Sequence, residues 1–186
     1  MSMTRKTISA RIARWQRDAS GVAGIEMAFV LPLLLVMFFG LVDFGNALSA
    51  SRRVATTTNI VADLITQQSG GSISKAELQS LFSAARSTFA PFDSTDLAVE
   101  VIGYTRNNNT VSEAWRSDNG ARCASPPPVD MTRLGQLSAD GNDVVVARVC
   151  YTVSPIVGMV MKKDIELKDQ LMLRPRYSLK LACKDC

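Results

Sequence analysis

The chain of 186 residues contains no histidine. That excludes a Ser-His-Asp triad, a Cys-His pair, histidine-ligated zinc and Cys-x-x-Cys-His haem attachment. Aromatic residues are scarce, at 6%, and no basic patch interleaved with aromatics follows the first 21 residues, so a nucleic-acid partner is not expected. No phosphate-binding glycine loop, zinc motif or pair of carboxylates at useful spacing is present. Glu100, Glu113 and the scattered aspartates read as solvated faces. No enzyme, cofactor or metal is expected.

Charge is also missing where it matters most. From Val22 to Val42 the only charged residue is Glu26. At about 1.5 Å per residue this stretch is about 31 Å long as a helix, enough to cross a bilayer core of about 30 Å. Before it stand Arg5, Lys6, Arg11, Arg14 and Arg17 against Asp18. The rest of the chain, 16 basic and 16 acidic residues, sums to zero. The net charge of +4 is therefore a property of the leader. Lysine and arginine beside a membrane segment stay on the cytoplasmic side. This predicts a cytoplasmic N-terminus and an exported C-terminal domain, although Arg52 and Arg53 beyond the far end reduce the asymmetry. The expected location is the inner membrane, single-pass, with the domain in the periplasm.

Three features mark the apolar run. Glu26 is costly at a bilayer centre, so it should lie near the inner interface, be protonated or have a partner. Pro32 removes one helix hydrogen bond. Asp43 and Asn46 are expected to mark the outer interface. The spacing of Gly21 and Glu26 is the sharpest signal. A cut after Gly21 would leave Val22 as the new N-terminus and Glu26 as its fifth residue. The carboxylate could then neutralise the new amine, on its own or a neighbouring subunit, in a low dielectric. Glycine at the cut, a basic leader before it and a long apolar helix after it form the pattern of type IV prepilins. Two rivals are a plain signal anchor and a secretory signal cut near Ala47-Leu-Ser49. The second has an apolar core longer than the usual 7–15 residues.

The run Gly21-Val-Ala-Gly-Ile-Glu26-Met-Ala-Phe-Val-Leu-Pro-Leu-Leu-Leu, followed by Phe39-Gly-Leu-Val-Asp-Phe-Gly45, resembles the TadE-like family. These are minor pseudopilins of the tight-adherence (Flp) pilus machinery of bacteria. The segment Leu171-Met-Leu-Arg-Pro-Arg-Tyr177 is similar to the end of that family's domain. Met27 stands where the family often has an aromatic, which leaves Phe29 to take any equivalent packing role. The resemblance implies a minor pseudopilin or assembly factor for a tight-adherence, type IV-like pilus. It also implies a prepilin-type peptidase and other pilin or pseudopilin subunits as partners, with possible incorporation into surface pili. The competing reading is a membrane-anchored periplasmic binding or adhesion module that is not processed as a pilin.

Beyond the apolar run, Ala47, Ala50, Val54, Val61, Leu64 and Ile65 can share one helical face, an amphipathic arm ended by Gly70-Gly71. Ser74-Lys-Ala-Glu77 is a capping box, and Leu78, Leu81, Phe82, Ala85 and Phe89 form one apolar stripe before Pro91. Alternation then predicts strands ending near Tyr104, over Val111–Arg116 with Trp115 as a core anchor, over Val144–Val153, and from Ile165 to Leu173. A turn falls at Arg106–Thr110, and Met131–Leu137 is a short helix. The expected architecture is α+β: a basic leader (1–21), a transmembrane helix (22–48), a helical arm (49–68), a pilin-like domain with about four antiparallel strands covered by helices (69–177), and a C-terminal tail with Cys-x-x-Cys (178–186), frayed over its charge-bearing part from Lys180 to Cys186.

Cys123, Cys150, Cys183 and Cys186 all follow the apolar run and would meet an oxidising compartment. Of three possible connectivities we favour Cys123–Cys150 and Cys183–Cys186. The first should stabilise by roughly 3 kcal/mol through loop closure. A redox role for Cys183-Lys-Asp-Cys186 is disfavoured by its setting, because thioredoxin-type pairs open a helix in a βαβ unit.

Overall fold

A computed structural model of the chain describes residues 20–108, 110–138, 142–158 and 160–186. The leader's basic residues lie outside the described residues. Helix α1 runs from Ser20 to Thr66 without a break, and Pro32 lies inside it. Its 47 residues make a rod of about 70 Å. The expected membrane helix and arm are thus one element, and they differ only in what surrounds them. Large apolar side chains from Val22 to Val42 are exposed, apart from the half-buried Phe39. From Ala50 onward one stripe is buried: Ala50, Val54, Thr57, Thr58, Val61, Ala62 and Ile65. Steps of three and four residues keep these on one face. Leu64 departs from expectation and points outward. It sits about 100° around the axis from Ile65, and Ala62 fills the sheet-facing line instead.

A short strand β1 (Ser72–Ser74) leads into helix α2 (Lys75–Thr88). Both halves of the capping box form. The Ser74 backbone N–H donates to Glu77 Oε2 at 2.7 Å, and the Glu77 backbone N–H donates to Ser74 Oγ at 3.3 Å. Leu78, Leu81, Phe82, Ala85 and Phe89 are buried. Strands β2 (Ala98–Asn107) and β3 (Thr110–Asp118), helix α3 (Met131–Leu137), and strands β4 (Val144–Val153) and β5 (Ile165–Leu173) follow. They form one antiparallel sheet in the order β3-β2-β4-β5. Asn108 adopts φ 46° in the β2–β3 turn, as the asparagine run there leads one to expect.

The two faces of the sheet are covered differently. On one, Val99, Val101, Val145, Ala147 and Val149 pack against α1 and α2. On the other, Ile102, Tyr104, Val144 and Val146 lie under Leu134 of α3, with Val129 and Leu137 beside them. This second cover is the β3–β4 connection, mostly irregular, with α3 inside it. Strand β4 is therefore buried on both faces, which accounts for the unbroken run Val144-Val-Val-Ala147.

The C-terminal tail is not frayed. Strand β6 (Ala182–Lys184) pairs with β1 in parallel. Leu181 is buried, its N–H donates to Asp143 Oδ2 at 2.8 Å, and its carbonyl accepts from Trp115 Nε1 at 2.7 Å. The charged residues of the tail suggested fraying. The buried Leu181, tied by two hydrogen bonds from distant elements, decides otherwise. Gly103 belongs to the same arrangement, since a Cβ there would stand inside the Trp115 indole.

Candidate functional site: an exposed apolar helix clamped to the sheet

The N-terminal half of α1 has no cover among the described residues. Val22, Ile25, Phe29, Leu33, Phe38 and Leu41 are all exposed. The most apolar window has a mean hydropathy of 2.5, and none of it is buried. So large a bare apolar surface is stable only against lipid or other apolar helices. Gly21 and Val22 lie in helical backbone, and Glu26 follows Val22 by four residues, one turn along the same face. Glu26 is exposed, so its carboxylate is presented on the surface that neighbours or lipid must cover. The four cysteines lie elsewhere, in the folded domain.

The helix is held to the sheet at two points. At one, Asp43 is buried, at 1% exposure. Its Oδ1 accepts from the backbone N–H groups of Ile156 (2.9 Å) and Val157 (3.0 Å), in the β4–β5 connection. Beside it, a Cβ on Gly40 would come 3.1 Å from Val160 Cγ2, so glycine allows the loop to lie close. At the other point, Arg176 pairs with Asp63, and the Arg176 N–H donates to the Thr66 carbonyl at 2.8 Å. Twenty helical residues separate Asp43 from Asp63, about 30 Å. The ten residues of β4 span about 33 Å. The arm and the central strand are thus matched in length and fastened at both ends.

Asp43, expected to mark the outer interface, is buried there under the β4–β5 connection. Nothing local to the helix signals it, because its partners are 113 and 114 residues away. The one available hint was the presence of a carboxylate and a glycine, Asp43 and Gly40, at the edge of an otherwise apolar run.

Residues 21–63 match the family model for TadE-like protein. The match takes in the exposed apolar helix, Glu26, the Asp43 clamp and all but the end of the arm. It covers less than half of the chain, and Leu171–Tyr177 lies outside it. No curated protein and no solved structure matches the chain. A TadE-like segment on an N-terminal apolar helix fits a membrane protein related to the tight-adherence pilus.

Two disulfides and several charged groups brace the domain that this helix carries. Cys123 is joined to Cys150 and Cys183 to Cys186, as favoured from the sequence. The first bridge pins the β3–β4 connection to β4. Next to it Glu166 accepts from Ser125 Oγ (2.7 Å) and from the Ala124 backbone N–H (2.6 Å). The Ser125 hydroxyl, the Ala124 and Ser125 amides and Lys168 hold the Glu166 carboxyl below the usual carboxylate range. Arg116 hydrogen-bonds Glu113 and lowers it likewise. In the open depression beside the bridge, Glu100, Arg116, Arg148 and Arg122 already have ionic partners. These are groups that hold strands and loop together.

The Cys123–Cys150 bridge closes a loop of 27 residues. Chain-entropy arithmetic for a loop of that length gives about 3.5 kcal/mol. The Cys123→Ser/Cys150→Ser double variant should lose about that much in urea unfolding of the detergent-solubilised chain. The Cys183→Ser/Cys186→Ser pair should lose much less, because its loop is only three residues long. Equal losses from the two pairs would refute the loop-closure account.

Proposed function

We propose that this chain is a minor pseudopilin-like subunit or assembly factor for biogenesis of a tight-adherence, Flp-type pilus. It would be anchored in the inner membrane with its leader cytoplasmic and its α+β domain periplasmic. One observation carries this reading. The segment matching the TadE-like family model presents a bare apolar helix in which Glu26 stands one turn after Val22. A prepilin-type peptidase would cut between Gly21 and Val22. The helix would then pack laterally with those of other pilin or pseudopilin subunits, and Glu26 would neutralise an N-terminal amine. The domain would supply partner specificity rather than catalysis.

The test is the mature N-terminus and intact mass of the protein from membranes of its native host, with and without the prepilin peptidase. A peptidase-dependent start at Val22 is expected. An uncut chain in both strains would reject processing and favour an unprocessed membrane-anchored binding module. A start near Ala50 would make the domain a secreted one and reject the pilus reading altogether.

A further inference from the structure

The β4–β5 connection is unusual for a loop at the end of a sheet. It carries Ile156, Val157 and Val160, which are 64%, 39% and 52% exposed. Loops that face water are normally polar, and three large apolar side chains side by side call for a cover. The place of the loop on the molecule supplies one. Its amides are bonded to Asp43 and Val160 lies against Gly40, at the outer end of the apolar run of α1. On that same stretch of helix Leu41 and Phe44 are exposed. Lys162 and Lys163 follow the apolar residues directly and are also exposed.

We propose that this loop dips into the leaflet that the helix crosses on the side of the domain, with lipid as its partner. Ile156, Val157 and Val160 enter the acyl boundary beside Leu41 and Phe44, while Lys162 and Lys163 meet headgroup phosphates. Two unfavourable features then offset each other. A carboxylate in an apolar helix needs donors, and backbone N–H groups taken into lipid need an acceptor. Asp43 Oδ1 accepts from both loop amides, at 2.9 and 3.0 Å, while Asp43 Oδ2 has no partner among the described residues. A second cation-rich, apolar contact with the bilayer fixes the height of the domain and its rotation about the helix axis. The continuous helix by itself would leave the rotation free. The inference rests on the helix crossing a bilayer and does not depend on the pilus reading.

The experiment uses the full chain in vesicles of phosphatidylethanolamine and phosphatidylglycerol. A single thiol is introduced as Ile156→Cys and labelled without reductant, so the two native bridges stay closed, with an environment-sensitive NBD dye. The reference is the same dye at Met131→Cys, exposed on α3 at the opposite end of the sheet. Lipids carrying a doxyl group near the headgroup should quench the dye at 156 severalfold more than the dye at 131, with blue-shifted emission at 156. Adding Asp43→Ala should bring quenching at 156 down towards the value at 131 without changing the signal at 131. Water-like emission and aqueous iodide quenching at 156 equal to that at 131 would overturn the proposal. So would a dye shielded from iodide yet unquenched by doxyl lipid, since a second copy or another protein would then be the cover. Unchanged lipid quenching in the Asp43→Ala background would overturn the anchoring role of Asp43. The pilus reading is tested separately by the cut at Gly21.

Discussion

Replacing Arg148 with methionine is expected to destabilise the domain by about 3 kcal/mol, with a fall in melting temperature of about 6–12 °C. Arg148 sits in the middle of the sheet at 4% exposure. It faces Glu100 on one neighbouring strand and Gln170 on the other, in register with both. Its Nη1 donates to Glu100 Oε2 at 2.6 Å, and its Nη2 donates to Gln170 Oε1 and to the Pro127 carbonyl, each at 2.9 Å. One guanidinium thus links three strands and the loop over them. Methionine fills the space but leaves a carbonyl, an amide oxygen and a carboxylate short of a donor. Glu100 keeps Arg116, at 2.5 Å, which holds the loss to the lower end of the range for broken buried pairs. Urea unfolding of the detergent-solubilised full chain measures the effect. The double variant Glu100→Gln/Arg148→Met should recover part of the loss, because the carboxylate left with one ionic partner fewer is gone. A single variant as stable as the parent would show that the row of polar groups across the sheet contributes nothing net.

Glu26→Ala is expected to leave the protein in the membrane and remove it from pilus assemblies. Insertion depends on the summed apolarity of the Val22–Val42 run, and alanine raises it. Assembly in the proposed mechanism depends on the carboxylate, since removing it leaves an amine unpaired in a low dielectric. Recovery of the variant with the pilus fraction, relative to its amount in membranes, should fall at least about tenfold. Glu26→Gln, which keeps the shape without the charge, should fall alongside it. If both variants co-purify with the pilus fraction at the level of the parent, the amine-pairing role of Glu26 is wrong.

The helices and the strand pattern were legible because they rest on local rules. Uninterrupted apolarity marked the N-terminal half of α1. The capping box at Ser74 and the stripe from Leu78 to Phe89 gave α2 nearly to the residue. Alternation gave four strands, and the runs from Gly21 and from Phe39 to Gly45 resemble the family whose model matches residues 21–63. Leu64 was misplaced because six residues can be drawn onto one face of an arm without knowing how wide the sheet-facing stripe is. The tail was misread because its local composition is polar, while its order comes from Asp143, Trp115 and β1.

Asp43 shows the same division at the candidate site. By itself the sequence determined that an apolar helix of membrane-crossing length carries one carboxylate, Glu26, near its start and another, Asp43, at its far end. Those facts follow from composition along a single element, and periodicity suffices to read them. Only the tertiary structure decided that Asp43 is sealed under the β4–β5 loop while Glu26 stays bare. A carboxylate's partners are set by which distant backbone amides come within 3 Å of it, and those amides belong to a loop more than a hundred residues further along the chain. No local pattern encodes that distance, because it arises from the register of the sheet and the matched lengths of strand and arm.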